Sequence, residues 1–214
     1  MENSIKKYQH AFLVFTIAQF FMMLSLFEYG SSIKALSEFM VLFALFQGVA
    51  LIMMIIATTK LYSFNKNFFY SLITTIVCSL ISLLGTVAKE STEDMTVAWA
   101  RGLNVSSDIL LCVMYAYFFL GAKDQFTSYG LERNVKRSRL GFFYVIGLTN
   151  VINLMSFIGS FNSMKTNVLV AAIFRYGTLA MKFFMYSFMF IVLILMMVYV
   201  KKNYKEEEAH EEQE

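Results

Sequence analysis

The apolar run VLVAAIFRYGTLAMKFFMYSFMFIVLILMMVYV, beginning at Val168, carries two cations, Arg175 and Lys182. Seven residues apart, they share one face of a helix. An acid that could answer them sits in another apolar run, NVSSDILLCVMYAYFFLGAK, as Asp108. An ionised carboxylate facing lipid is expensive. Asp108 must therefore face other helices or a wet cavity, and a cationic partner is expected. Lys182, Arg175 and Arg101 are the candidates, and Glu28 and Glu38 mark the edges of the first two apolar runs. Gathered together, these six residues would form a charged outer vestibule able to recognise a charged solute. The plainer reading is an ion-pair network that only holds helices together. Plainer still, the two cations sit at the membrane interface with no inward role.

A second set of polar residues falls near the middle of apolar runs: Gln19, Gln47, Asn150 and Asn153. Uncharged amides at depth usually join neighbouring helices, at about 1 kcal/mol each. If the four converge, they could instead coordinate a polar solute or an ion.

Catalytic patterns are missing. The histidines, His10 and His210, lie outside the apolar cores, and of the aspartates only Asp108 lies within one. The chain has no HExxH, no phosphate-binding glycine loop and no G-x-S-x-G elbow. Cys78 and Cys112 both fall in apolar runs and read as free thiols rather than a disulfide or metal site. No catalytic residue, metal or cofactor is expected.

The elements that position these residues are apolar segments of membrane-spanning length. The 214-residue chain is 58% hydrophobic and 15% charged, against about 25% charged in soluble domains. Six segments stand out, at about 11–29, 35–59, 68–88, 102–121, 140–161 and 168–200. Each is near the 20 or so residues that a helical span needs, and helix is the default because lipid offers no partner to backbone groups. The expected fold is all-α: a polytopic membrane protein with a six-transmembrane-helix bundle over residues 1–200 and a charged tail over 201–214. Lys6 and Lys7 before an apolar stretch suggest a signal peptide. The stretch is too long for one and lacks a cleavage site, so it reads as an uncleaved first span.

Cation placement sets the orientation. One side holds Lys6, Lys7, Lys60, Lys66, Lys123, Arg133, Lys136, Arg137, Arg139, Lys201, Lys202 and Lys205; the other holds Lys34, Lys89, Arg101 and Lys165. The positive-inside bias puts both termini in the cytoplasm, in a plasma membrane of bacterial type. The acidic stretch KESTEDMTVAWAR then becomes an outer loop, with Trp99 at the interface. The basic stretch KDQFTSYGLERNVKRSR, with Lys123, Arg133, Lys136, Arg137 and Arg139, becomes a cytoplasmic loop. It could lie as a surface helix on anionic lipid, dock a cytoplasmic partner, or merely set topology. The acidic tail reads as a solvated helix end supported by pairs such as Lys202 with Glu206.

Depth follows from helix rise. The last run, if helical, is about 50 Å long, against a hydrocarbon core of about 30 Å. Counted back from Lys201 and Lys202, the outer boundary falls near Ala180. Lys182 is then only about 3 Å deep, within snorkelling reach. Arg175 is outside the core, and Asp108 lies about 9 Å inside it. Two small-residue patterns read as packing faces: Thr75, Cys78, Ser79, Ser82 and Thr86 in the third segment, and Ala44 with Gly48 in the second.

The absence of proline predicts continuous helices and disfavours a carrier with unwound half-helices. No inverted repeat is visible either. The expected function is a non-enzymatic sensor, regulatory or accessory module of the membrane. The alternative is a small-solute or ion transporter or channel, with Asp108 and the amide layer lining the pathway. Expected partners are the lipid bilayer and a membrane or cytoplasmic protein or a second copy of the chain. Nucleic acid is not expected, since no basic and aromatic platform stands outside the apolar runs.

Overall fold

A computed structural model describes residues 2–27, 40–89, 94–160 and 168–211. Among these residues the chain forms six α-helices: α1 (Glu2–Ser25), α2 (Met40–Leu61), α3 (Lys66–Lys89), α4 (Asp94–Ser128), α5 (Glu132–Ser160) and α6 (Val168–Glu211). Each is continuous, as a chain without proline permits. Four stretches are long and apolar enough to cross a membrane: Lys7–Ser25, Lys66–Leu84, Val105–Ser128 and Leu169–Val200. A shorter apolar stretch, Leu45–Leu61, lies in α2. Every helix also exposes large apolar side chains, such as Leu13, Leu45, Leu83, Ile109, Phe143 and Phe184. Water tolerates few such patches. These features mark an all-α membrane protein.

Two hairpins define one end of the bundle. Asn65 links α2 to α3: its Oδ1 accepts from the Phe68 amide at 3.1 Å, capping α3, while its Nδ2 donates to Gly121 O at 2.9 Å. The cap satisfies an amide that the first helical turn leaves unpaired. The turn between α4 and α5 is built on Gly130, the only residue with positive φ (69°) among those described. The Leu131 amide bonds Phe126 O at 2.9 Å and the Gly130 amide bonds Thr127 O at 3.2 Å, the Schellman closure of a helix end.

This turn leaves no separate helix within the basic stretch. Lys123–Ser128 completes α4 and Glu132–Arg139 opens α5, because a left-handed glycine folds the chain straight back. The expected acidic outer loop is likewise shorter than read. Residues from Asp94 onward already belong to α4, so Trp99 and Arg101 stand on a helix rather than in a loop. The pair Lys202 with Glu206 lies outside the described side chains.

Neighbouring helices run antiparallel. The α3–α4 contact is the most extensive, followed by α1–α2 and α4–α5, and α6 packs on both α1 and α5. Toward the hairpin end the interior is aromatic. Phe15 stacks on Phe118 with ring centroids 3.8 Å apart and planes 7° apart. Tyr8 meets Phe68 and Phe126 edge-on at 6.1 and 5.6 Å, and all five rings are buried. Close approach of α5 to α4 relies on Gly141, where an added Cβ would lie 2.5 Å from the Phe119 ring. Part of the small face of α3 meets α4: Cys78 Sγ lies 3.4 Å from Ser107 O, Ser71 Oγ on the same helix donates to Met114 O at 3.1 Å, and the side chain of Thr86 lies outside those described. Gly48 does not act this way. It is exposed, with nothing within 4 Å of a Cβ placed there, and the side chain of Ala44 lies outside those described.

Candidate functional site

Asp108 and Lys182 meet away from the hairpins. Lys182 Nζ donates to both carboxylate oxygens, at 3.1 Å to Oδ1 and 2.8 Å to Oδ2. The side chains are 17% exposed for Lys182 and 34% for Asp108. Local packing sets this up. Cys78 on α3 sits with Sγ 3.4 Å from Ser107 O, which holds the turn carrying Asp108 against α3. Gly177, five residues before Lys182, lets α6 lie close to α5: a Cβ there would lie 2.9 Å from Met155 Cε.

The ion pair walls a polar pocket of about 50 Å³. Ser25 of α1, Gln47 of α2, Ser82 of α3, Ser107 of α4 and Tyr186 of α6 complete its polar lining. Five helices therefore converge on one small hydrophilic space. A buried water needs at least about 10–15 Å³ of such volume, so the pocket accommodates a few waters or one small polar group. On the other side of the pair, Cys112, Tyr115 and Thr149 border a space of only about 10 Å³. Beyond that, the interior is closed by Gln19, Tyr115 and the aromatic cluster. Tyr115 Oη donates to Gln19 Oε1 at 2.6 Å, and both residues are fully buried.

The expected outer cluster therefore assembles in part. Asp108, with Lys182, forms its centre. Arg175 is exposed and lines a separate groove between α5 and α6, of about 290 Å³, which Lys182 also borders. The side chain of Arg101 and the whole of Glu28 and Glu38 lie outside the described residues.

The expected amide layer does not form. Gln47 joins the ion-pair pocket and Gln19 turns to Tyr115. Asn150 is exposed and donates to Ile146 O of its own helix at 2.9 Å, while Asn153 is half-buried. Similar depth placed the four amides together, but helix phase gives Gln19, Gln47 and Asn150 different surroundings. Sequence reasoning missed Tyr115 and Tyr186. Tyr115 lies seven residues after Asp108, on nearly the same helical face, and a tyrosine hydroxyl at depth demands a partner; that was the available signal.

The basic stretch binds the protein to itself. Arg137 Nη1 donates to Leu195 O at 2.7 Å and to Asn134 Oδ1 at 3.1 Å, and Asn134 Nδ2 donates to Met196 O at 3.1 Å. Arg133 and Arg137 each lie 5.6 Å from the centroid of the Tyr199 ring. Lys123 pairs with Asp124 at 3.7 Å. Lys136 and Arg139 are exposed.

In comparisons with known proteins, no family model, curated protein or solved structure matches the chain.

Proposed function

We propose that the chain is a non-enzymatic sensor or regulatory module of a plasma membrane, with the Asp108–Lys182 pocket as its receptive element. The single observation that carries this reading is that the polar pocket opens to one side only. A hydrophilic pocket bounded by five helices ends at a fully buried aromatic cluster. An open conduit needs a continuous path wide enough for its solute, whereas a receptor needs only a pocket and helices that respond to it. The ion pair supplies a response element: a small charged or polar ligand that competes for either partner frees the other and so alters the α4–α6 contact.

In this reading the six helices cross the membrane with both termini in the cytoplasm. The cation distribution supports that orientation, and the pocket then lies toward the outer side. The channel or transporter alternative rests on the same residues and is separated by one experiment. Cys112, four residues beyond Asp108, is exposed to a membrane-impermeant thiol reagent added outside, in a Cys78→Ser background. Protection until denaturation is expected for the sensor. Rapid labelling in the folded protein, together with solute flux that Asp108→Asn abolishes, would overturn the sensor in favour of transport.

A further inference from the structure

Arg175 and Lys182 share a second setting besides the Asp108 pair. Both border the groove between α5 and α6. Its volume of about 290 Å³ is close to the lower end of small-ligand pockets, about 300 Å³. The lining is mixed. Met155, Phe174 and Leu179 give an apolar wall, Ser156 and Thr178 add hydroxyls, and Arg175 shares a helical face with Lys182, which is bonded to Asp108; the two cations are about 10 Å apart along the axis at 1.5 Å per residue. On the depth scale set by Lys201 and Lys202, Arg175 stands at the level of lipid headgroups and Lys182 just within the hydrocarbon.

We propose that this groove binds an anionic phospholipid, with the phosphate held by Arg175 and the first acyl carbons laid along the Phe174–Leu179 wall toward Lys182. Charge complementarity selects the occupant: guanidinium is the side chain best matched to a phosphate, and basic pockets between membrane helices suit acidic headgroups. The groove holds the headgroup and the start of a chain; the rest of the lipid remains in the bilayer. Because Lys182 is shared between this groove and the ion-pair pocket, lipid occupancy would bias the Asp108–Lys182 contact. That consequence alone rests on the sensor reading; the binding does not.

The test is native mass spectrometry of the full-length protein released from detergent with phosphatidylglycerol or phosphatidylcholine. Retention of phosphatidylglycerol over phosphatidylcholine is expected. Arg175→Gln should weaken that retention about tenfold, the value of one charge-assisted hydrogen bond. Ala171→Phe, which keeps both charges but fills the groove, should weaken it as well, and Arg139→Gln should not. A photoactivatable phosphatidylglycerol should label peptides containing Met155 or Phe174. Equal retention of the two lipids, insensitivity to both groove variants, or displacement by inorganic phosphate at equal concentration would overturn the proposal. Failure here leaves Cys112 protection unchanged, so the two readings fall separately.

Discussion

Tyr115 Oη donates a 2.6 Å hydrogen bond to Gln19 Oε1, joining α1 to α4 at a point where both side chains are fully buried. Gln19 Nε2 has no partner among the described residues. The pair is thus a polar contact already incomplete, set between the ion-pair pocket and the aromatic cluster. Leaving a buried polar group unpaired costs about 1–3 kcal/mol, whereas replacing both partners by apolar groups is nearly neutral. Tyr115→Phe alone is expected to lower stability by about that amount. Adding Gln19→Leu should restore it to near the starting value, because the orphaned amide goes too. Thermal unfolding in detergent, followed by circular dichroism, measures both. A double variant no more stable than Tyr115→Phe would show that the amide is not the cost.

The ion pair has the same asymmetry on a larger scale. Removing one partner of a well-buried pair costs about 3–5 kcal/mol. Asp108, at 34% exposure, keeps some solvent, so about 1–3 kcal/mol is expected for Lys182→Met. Asp108→Asn together with Lys182→Gln should lose less than Lys182→Met alone. A cycle built on the two single neutral variants and the double should give a coupling of about 1 kcal/mol or more, as residues in one network do. Strict additivity would mean that the 2.8 Å contact contributes nothing to folding.

The basic hairpin offers a third check. Arg137 and Asn134 both reach backbone carbonyls of α6, and those carbonyls belong to a helix that continues to Glu211. The bonds therefore dock α5 on α6 without capping anything. Asn134→Ala is expected to cost about 1 kcal/mol, the net value of one hydrogen bond, while Lys136→Ala, at an exposed site, should change little. Equal effects from the two would remove the docking role.

What the sequence made legible follows from which property it records. Hydropathy and the absence of proline record helix and membrane compatibility, so continuous apolar helices could be read directly. Charge at depth records need: Asp108 requires a cation and three were candidates, but only the structure shows Lys182 bonded to it. Depth records nothing about azimuth. That is why Gln19, Gln47, Asn150 and Asn153 read as one layer, and yet Gln19, Gln47 and Asn150 have different neighbours. Nor does composition reveal a turn of three residues. Gly130 sits inside a stretch whose charges read as a loop, and only its left-handed backbone shows two helices meeting there. Gly48 and Gly141 are alike in sequence terms, each a glycine within an apolar helix, and their surroundings differ completely.

That difference gives the last prediction. At Gly141 an added methyl would come within 2.5 Å of the Phe119 ring, which is itself fully buried. The ring cannot swing into free space, so Gly141→Ala must separate α5 from α4 or displace Phe119. Overpacking of this kind costs about 1–3 kcal/mol. At Gly48 the same methyl meets nothing within 4 Å. Gly48→Ala should instead raise stability by up to about 0.5–1 kcal/mol, since alanine loses less backbone freedom in a helix. Paired unfolding curves for the two variants decide the matter. Opposite shifts would support α4–α5 as the glycine-dependent seam. Loss of stability at Gly48 comparable to that at Gly141 would mean that the exposed face of α2 meets another helix, and a second copy of the chain would become the first partner to look for by cross-linking.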